Sequence, residues 1–187
     1  MTSTKVNLSA YKPRKGLAGK GFYVLAPWYI THIVVFMNPF CTSYRLKRLL
    51  LKLFGAKLGK KVVIKPRVHI KYPWKLRIGD HCWIGEEVWI DNLDEVEIGS
   101  NVCLSQGAML LCGNHDYSKP GFDLMTAGIR IEEGAWVGAR ATIVPGCHIG
   151  EHAVVQAGSV AGGSLKARTI YRGNPAVGIK DRSLGEA

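Results

Sequence analysis

Counting from Leu58, an aliphatic residue returns at every sixth position: Leu58, Ile64 and Ile70, then Ile78, Ile84 and Ile90, then Ile98, Leu104 and Leu110. After a gap the series resumes with Ile131, Val137, Ile143, Ile149 and Val155, so all fourteen positions are Leu, Ile or Val. The residue four places after each is usually small, as at Val62, Val68, Cys82, Val88, Val102, Ala108, Ala135, Ala141, Cys147, Ala153 and Ser159. A helix repeats its apolar residues every three or four positions and a half-buried strand every two. A step of six fits neither over this length. It fits a coil of short strands that turns a corner after each sextet, with three sextets closing one triangular turn. Stacked turns then pair as parallel strands, the large aliphatic filling each face and the small residue fitting near a corner. Glycines directly after the aliphatic (Gly59, Gly79, Gly85, Gly99, Gly138, Gly150) are expected to ease the backbone around the corner. One coil cannot bury its apolar face alone, so the stack must share a continuous core.

The repeat sets the domain boundaries: an extension over 1–57, a β-helix over 58–162 and a tail over 163–187. Two steps, Ile70 to Ile78 and Ile90 to Ile98, are eight residues long and read as two-residue bulges at corners. The break over 111–130 is too long for a corner and predicts a loop leaving the prism. Loops of that length in compact domains are usually functional.

Charge is divided along the chain. Residues 1–77 hold 17 of the 25 Lys and Arg and none of the 14 Asp and Glu, which leaves 8 basic against 14 acidic residues in 78–187. A basic N-terminal part suits a polyanionic partner, such as anionic lipid headgroups or nucleotide-linked sugars. No aromatic-rich nucleic-acid motif accompanies it, so nucleic acid is not expected as a partner. The five Cys show no metal-like spacing. Cys82 and Cys147 fall on small interior positions, Cys103 should point outward and Cys112 sits in the loop. With no secretory signal, this pattern indicates the reducing cytoplasm.

Within the extension, residues 21–44 carry no Asp, Glu, Lys or Arg, but Pro27, His32, Asn38 and Pro39 interrupt the run. A helix is expected next, with Leu46, Leu49, Leu50 and Leu53 on one face and Arg45, Lys47, Arg48 and Lys52 largely off it. Gly55 would be its C-terminal cap. Three readings stay open: helices that cap the prism, an interfacial membrane contact through residues 20–55, or a membrane span, for which the run is short.

The loop holds Cys112-Gly-Asn-His-Asp-Tyr-Ser-Lys-Pro120. Histidine is the side chain best suited to general-base work near neutral pH, and His115 lies in the one long excursion from a repetitive scaffold. Together with Trp89-Ile-Asp-Asn92, Asn101-Val-Cys-Leu-Ser-Gln-Gly107, Asn114-His-Asp-Tyr-Ser118, Ala135-Trp-Val-Gly138, Pro145-Gly146 and Gly173-Asn-Pro-Ala176, the chain resembles the hexapeptide-repeat O-acetyltransferases. The likeness is to the galactoside and maltose acetyltransferase group, above all to the colanic acid biosynthesis acetyltransferases of exopolysaccharide gene clusters, and it covers nearly the whole chain.

The resemblance implies a mainly β fold, a left-handed parallel β-helix with an N-terminal helical extension. It implies a homotrimer whose sites lie between adjacent prisms, acetyl-CoA as co-substrate, no required metal and a saccharide acceptor that is free, lipid-linked or nucleotide-linked. His115 would be the base, with its tautomer set by a backbone carbonyl or by Asp116. The Ala139 N–H beside Trp136 would form the oxyanion and acetyl site; relatives often have Ser at that position, so only the backbone could serve. For the donor, likeness points to Ala157 and Gly158, then Pro175 and Lys180. Where many relatives have Thr-Lys this chain has Gly162-Gly163, which shifts phosphate binding towards Lys166, Arg168 or Arg172. Asp91, Asn92, Asn114 and Tyr117 are the acceptor candidates, Asp91 and Asn92 reading equally well as a polar corner. Three rivals share the repeat: a γ-type carbonic anhydrase, which needs three His ligands around zinc from among His69, His81, His115, His148 and His152; a non-catalytic membrane-surface scaffold; and a serine or antibiotic acetyltransferase. The expected location is the cytoplasm, a peripheral contact at the inner face of the membrane being one of the readings left open.

Overall fold

The computed structural model describes residues 5–14 and 16–185. Its body is a left-handed parallel β-solenoid with three flat faces. The first face stacks Lys57–Leu58, Leu76–Ile78, Val96–Ile98, Ile129–Ile131, His148–Ile149 and Ser164–Leu165. The second stacks Val63–Ile64, Trp83–Ile84, Cys103–Leu104, Trp136–Val137, Val154–Val155 and Thr169–Gly173. The third stacks His69–Ile70, Trp89–Asp91, Met109–Leu111, Thr142–Ile143 and Val160–Ala161. The coil therefore runs past residue 162, and Ala176–Asp181 folds back as an antiparallel edge on Thr169–Gly173.

The sixfold repeat sets this register. Ile64, Ile84, Leu104, Val137 and Val155 lie directly over one another, and each is buried. Full burial of one such side chain is worth about 1.5–3 kcal/mol. Every residue on the small interior positions is buried too, including Ser159, whose hydroxyl accepts from Gly173 N at 3.0 Å.

The glycines after the aliphatics have a different role from the one expected. None of Gly59, Gly79, Gly85, Gly99, Gly138 or Gly150 has positive φ. They are there because the next coil is too close: a Cβ on Gly79 would lie 2.6 Å from Ser100 N, and one on Gly138 2.5 Å from Ala157 N. The left-handed corner residue comes three places after the aliphatic and is often not glycine, as at Lys61, Arg67, His81, Glu87, Asn101, Arg140 and His152.

The first long corner contains a 3₁₀ turn, Pro73–Lys75. The second is held by Asn92, whose Oδ1 accepts from Lys71 N at 3.1 Å and Tyr72 N at 3.0 Å while its amide donates to Tyr72 O.

Two helices, α1 (Phe22–Thr31) and α2 (Tyr44–Leu53), cap the open end of the first coil. The coil N–H groups bond forward to carbonyls of the next coil, as Val63 N does to Cys82 O. This leaves first-coil carbonyls with no preceding coil, and an uncovered sheet edge is a hazard. Side chains of the cap occupy it. Trp28 Nε1 donates to Ile70 O and Lys71 O, Arg48 to Val62 O, and the Lys47 ammonium to Ile64 O at 3.4 Å and Lys65 O at 2.9 Å. Trp28, Phe36 and Leu51 form the apolar centre beneath. Pro27 lies inside α1, which gives way to a π-helical turn over His32–Phe36 closed by Met37 N to His32 O. No helix among the described residues is long and apolar enough to cross a membrane. Gly55, at φ +95°, ends α2 as expected.

Candidate active site

After Leu111 the chain leaves the third face as a hairpin in which Gly113–Asp116 pairs antiparallel with Asp123–Thr126, His115 opposite Leu124. Cys112 is not out in the loop. It is buried at the hairpin root, where burial pushes its thiol pKa up to about 12. A Cβ on Gly113 would meet Leu93 Cδ1 at 2.5 Å, so any larger residue there has to push the Leu93 side chain aside.

His115 is exposed, and its Nδ1 lies 2.6 Å from Phe122 O. A carbonyl only accepts, so Nδ1 carries the proton and Nε2 keeps its lone pair for a substrate. Asp116 does not orient the ring: its Oδ1 takes Ser118 N at 3.0 Å and Ser118 Oγ at 2.5 Å, closing the turn. Those two bonds hold its carboxyl below the usual carboxylate range.

The N-terminal arm grips this hairpin. Asn7 N donates to Pro120 O at 2.9 Å and Arg14 to Thr126 Oγ1 at 3.4 Å. The Tyr11 ring meets His115 edge-on with centroids 6.0 Å apart.

Elsewhere, a groove of about 640 Å³ runs on the second face to its corner with the third, lined by Trp136, Ala139, Gln156, Ala157, Ile170 and Arg182. Trp136 Nε1 donates to Ser105 Oγ at 2.8 Å, which fixes the indole against the groove wall. Ala139 and Ala157 take equivalent corner positions on successive coils. Among the described residues, neither backbone N–H has a hydrogen-bond partner. Two such donors in an apolar groove suit carbonyl oxygens, including one gaining negative charge. Arg182 reaches over the end of the coils to Gly134 O and His152 O, each at 3.0 Å. It was absent from the sequence candidates, and only its basic charge could have suggested it.

The remaining candidates divide. Gly158, at φ +70° and exposed, flanks Ala157 at the groove corner. Lys166, Arg168, Arg172, Pro175 and Lys180 are exposed on the last coil and terminal hairpin, with Pro175 in the hairpin turn, and line no part of the groove wall. Asp91 stands near the hairpin root, its Oδ1 2.8 Å from Lys71 Nζ. Asn114 caps His115 N through its own Oδ1, and Tyr117 is 86% exposed on the turn. Asn92 is a correction: fully buried with its amide spent on the corner, it has no group left for an acceptor. Among the described residues no three His, Cys, Asp or Glu come together as a metal cluster.

Within one chain the base and the groove do not meet. The hairpin leaves at the corner between third and first faces, and the groove lies on the second.

Comparison with known proteins agrees with this scaffold. Residues 128–163 match the model for the bacterial transferase hexapeptide (six repeats). WcaF of Escherichia coli K12, named for an acetyltransferase role in colanic acid biosynthesis, is 39% identical over 176 residues, covering 94% of this chain and 97% of its own. The galactoside O-acetyltransferase of the same organism is 26% identical over 136 residues, covering 71% and 66%. A hexapeptide-repeat acetyltransferase of Vibrio cholerae superposes with TM-score 0.79 at 21% identity over 94% of this chain and 98% of its own. A further structure of a Vibrio cholerae protein of that description, holding acetyl coenzyme A, gives 0.77 at 22% identity over 86% and 88%.

Proposed function

The chain belongs to the hexapeptide-repeat acetyltransferases, and from that premise we propose that it moves an acetyl group from acetyl-CoA to a saccharide hydroxyl in exopolysaccharide biosynthesis, with His115 as general base. The observation carrying this reading is the bond from His115 Nδ1 to Phe122 O, which leaves the Nε2 lone pair available to take a proton. A sugar hydroxyl is a weak nucleophile until a base takes its proton. Its proton passes to Nε2, its oxygen attacks the thioester carbonyl carbon, and the C–S bond breaks. The leaving thiolate then takes the proton back from the imidazolium. The Ala139 N–H is the donor for charge growing on the carbonyl oxygen, and the Ala157 N–H suits an amide carbonyl of the pantetheine arm. Lys166, Arg168, Arg172 and Lys180 lie at the same C-terminal end and suit its phosphates, with Pro175 beside the adenine.

The working unit is a homotrimer in which the hairpin of one protomer faces the groove of the next. Support comes from the separation of the two halves in one chain. It comes also from the outward positions of the second face, Val63, Trp83, Cys103, Trp136, Val154 and Ile170, none of which is charged. The first face, by contrast, presents Lys57, Arg77, Glu97, Arg130 and His148. We place the enzyme in the cytoplasm, working at the inner face of the membrane. The test is thioester consumption with a panel of sugars, with products read by mass spectrometry. His115→Ala should lower kcat by about 10²–10⁴-fold with the assembly intact. Full activity in that variant would refute the mechanism.

A further inference from the structure

The amphipathic pattern of α2 is inside out. Its leucines at one helical stripe, Leu46, Leu49 and Leu53, face solvent, Leu49 being 65% and Leu53 75% exposed, while Lys47 on the opposite stripe is fully buried. The Lys47 ammonium is committed to the open edge of the first coil, as described, and Leu51 packs beside it. That contact fixes the rotation of the helix and turns the leucines away from the prism. At 100° per residue, Arg45 and Lys52, both exposed, lie together along one edge of the leucine stripe.

α1 and its π-turn repeat the arrangement. Trp28 and Phe36 point inward, while Tyr23, Tyr29, Ile30, Ile33 and Val34 are exposed. Half of the twenty large apolar side chains exposed among the described residues therefore fall between Phe22 and Leu53, which is too dense to be incidental. No Asp or Glu occurs before Asp80.

We infer that the outer surface of this cap docks on an anionic phospholipid bilayer, the exposed leucines and α1 side chains entering the headgroup boundary and Arg45 and Lys52 pairing with lipid phosphates. Charge complementarity selects this partner. An apolar stripe with a basic edge and no acidic residue matches an anionic interface, whereas a second copy of the same face would bring like charges together. Leu46, Leu49 and Leu53 belong neither to the lateral groove nor to the hairpin, whereas Phe22 and Tyr29 of α1 also line a cavity along the third face with Asp91. This rests on the reading of the protein as an enzyme at the membrane surface, yet it is tested apart from catalysis.

The experiment is sedimentation of the full-length protein with phosphatidylcholine–phosphatidylglycerol vesicles and with phosphatidylcholine alone, at low and high salt. Acetyl-CoA binding by calorimetry and melting temperature confirm the fold of each variant. The protein should pellet with the anionic vesicles, weakly with the neutral ones, and less at high salt. Leu49→Glu/Leu53→Glu, or the milder Leu49→Ser/Leu53→Ser, should cut binding by roughly tenfold or more with acetyl-CoA affinity and melting unchanged. Arg45→Glu/Lys52→Glu should abolish the preference for anionic vesicles. Protein that stays in the supernatant, or leucine variants that bind as before, would overturn the inference. So would leucine variants that break the oligomer on size exclusion, because the face would then lie between copies. Vesicle binding without acetyl transfer would sink only the enzymatic reading, and transfer without vesicle binding only this one.

Discussion

In the prism, the six-residue series is buried from Ile64 to Val155, and only Leu58 at the open end is half exposed. In α2, Leu46, Leu49 and Leu53 are exposed, and Lys47 is buried beside Leu51. Both regions separate apolar from charged residues with the period of their secondary structure. What differs is the neighbour. Each coil of the prism meets another coil, whose interior is hydrocarbon. The cap meets a rim of unpaired carbonyls, and there a cation with three donors fits better than a leucine. An amphipathic stripe thus announces a boundary between two environments without saying which of them is the protein core.

That contrast can be broken by mutation. Leu104→Ala, at the centre of the second face, should cost about 2–5 kcal/mol in denaturant unfolding, whereas Leu49→Ala should stay within about 0.5 kcal/mol of zero. Similar losses at both sites would mean that α2 buries its leucines. Lys47→Ala should rank next. It leaves Ile64 O and Lys65 O without donors at the rim, a loss of about 1–3 kcal/mol, and a lysine whose removal is neutral would refute the capping role.

A smaller effect tests whether the N-terminal arm steadies the hairpin that carries His115. Removing the Tyr11 ring takes away an edge-on aromatic contact worth about 0.5–1.5 kcal/mol. Tyr11→Ala should therefore lower kcat by about two- to tenfold with little change in KM for acetyl-CoA, and Tyr11→Phe should restore it. An unchanged kcat would make the arm a bystander.

Acid sensitivity of the cap is absent at neutral pH and grows only as pH falls below about 6.5. His32 Nε2 accepts from Ile70 N at 3.4 Å, and its pKa is lowered to about 4, first by burial and then by His69. The unfolded chain therefore binds this proton more readily than the folded one. Its contribution is complete above the ordinary histidine pKa of about 6.5 and is lost as pH falls towards about 4. His32→Phe should flatten the melting temperature across that window. An equally steep fall in the variant would put the sensitivity elsewhere.

Much of the fold could be read from the sequence because each coil supplies the environment of the next. The faces, the excursion over 111–130 and the small corner residues all follow from spacing. Even so, the glycines were read for torsion when close approach of the next coil is their reason. His115 was legible as the histidine of the excursion, and Ala139, Trp136 and Ala157 through likeness of short strings. Tyr11 and Arg182 were not, because each acts through a contact far away in sequence: Tyr11 on a ring more than a hundred residues on, Arg182 on Gly134 O. Periodicity carries no information about such pairs.

The central claim is that base and groove come from different protomers, and mixed assemblies test it most directly. His115→Ala removes the base and Ala157→Trp fills the groove, so each variant alone should be inactive. Dissociated and reassembled together in equal amounts, they should recover about a quarter of wild-type transfer, the share of interfaces that pair an intact hairpin with an intact groove in a closed ring. A mixture with no activity, from assemblies shown by mass to contain both chains, would mean that the site lies within one chain.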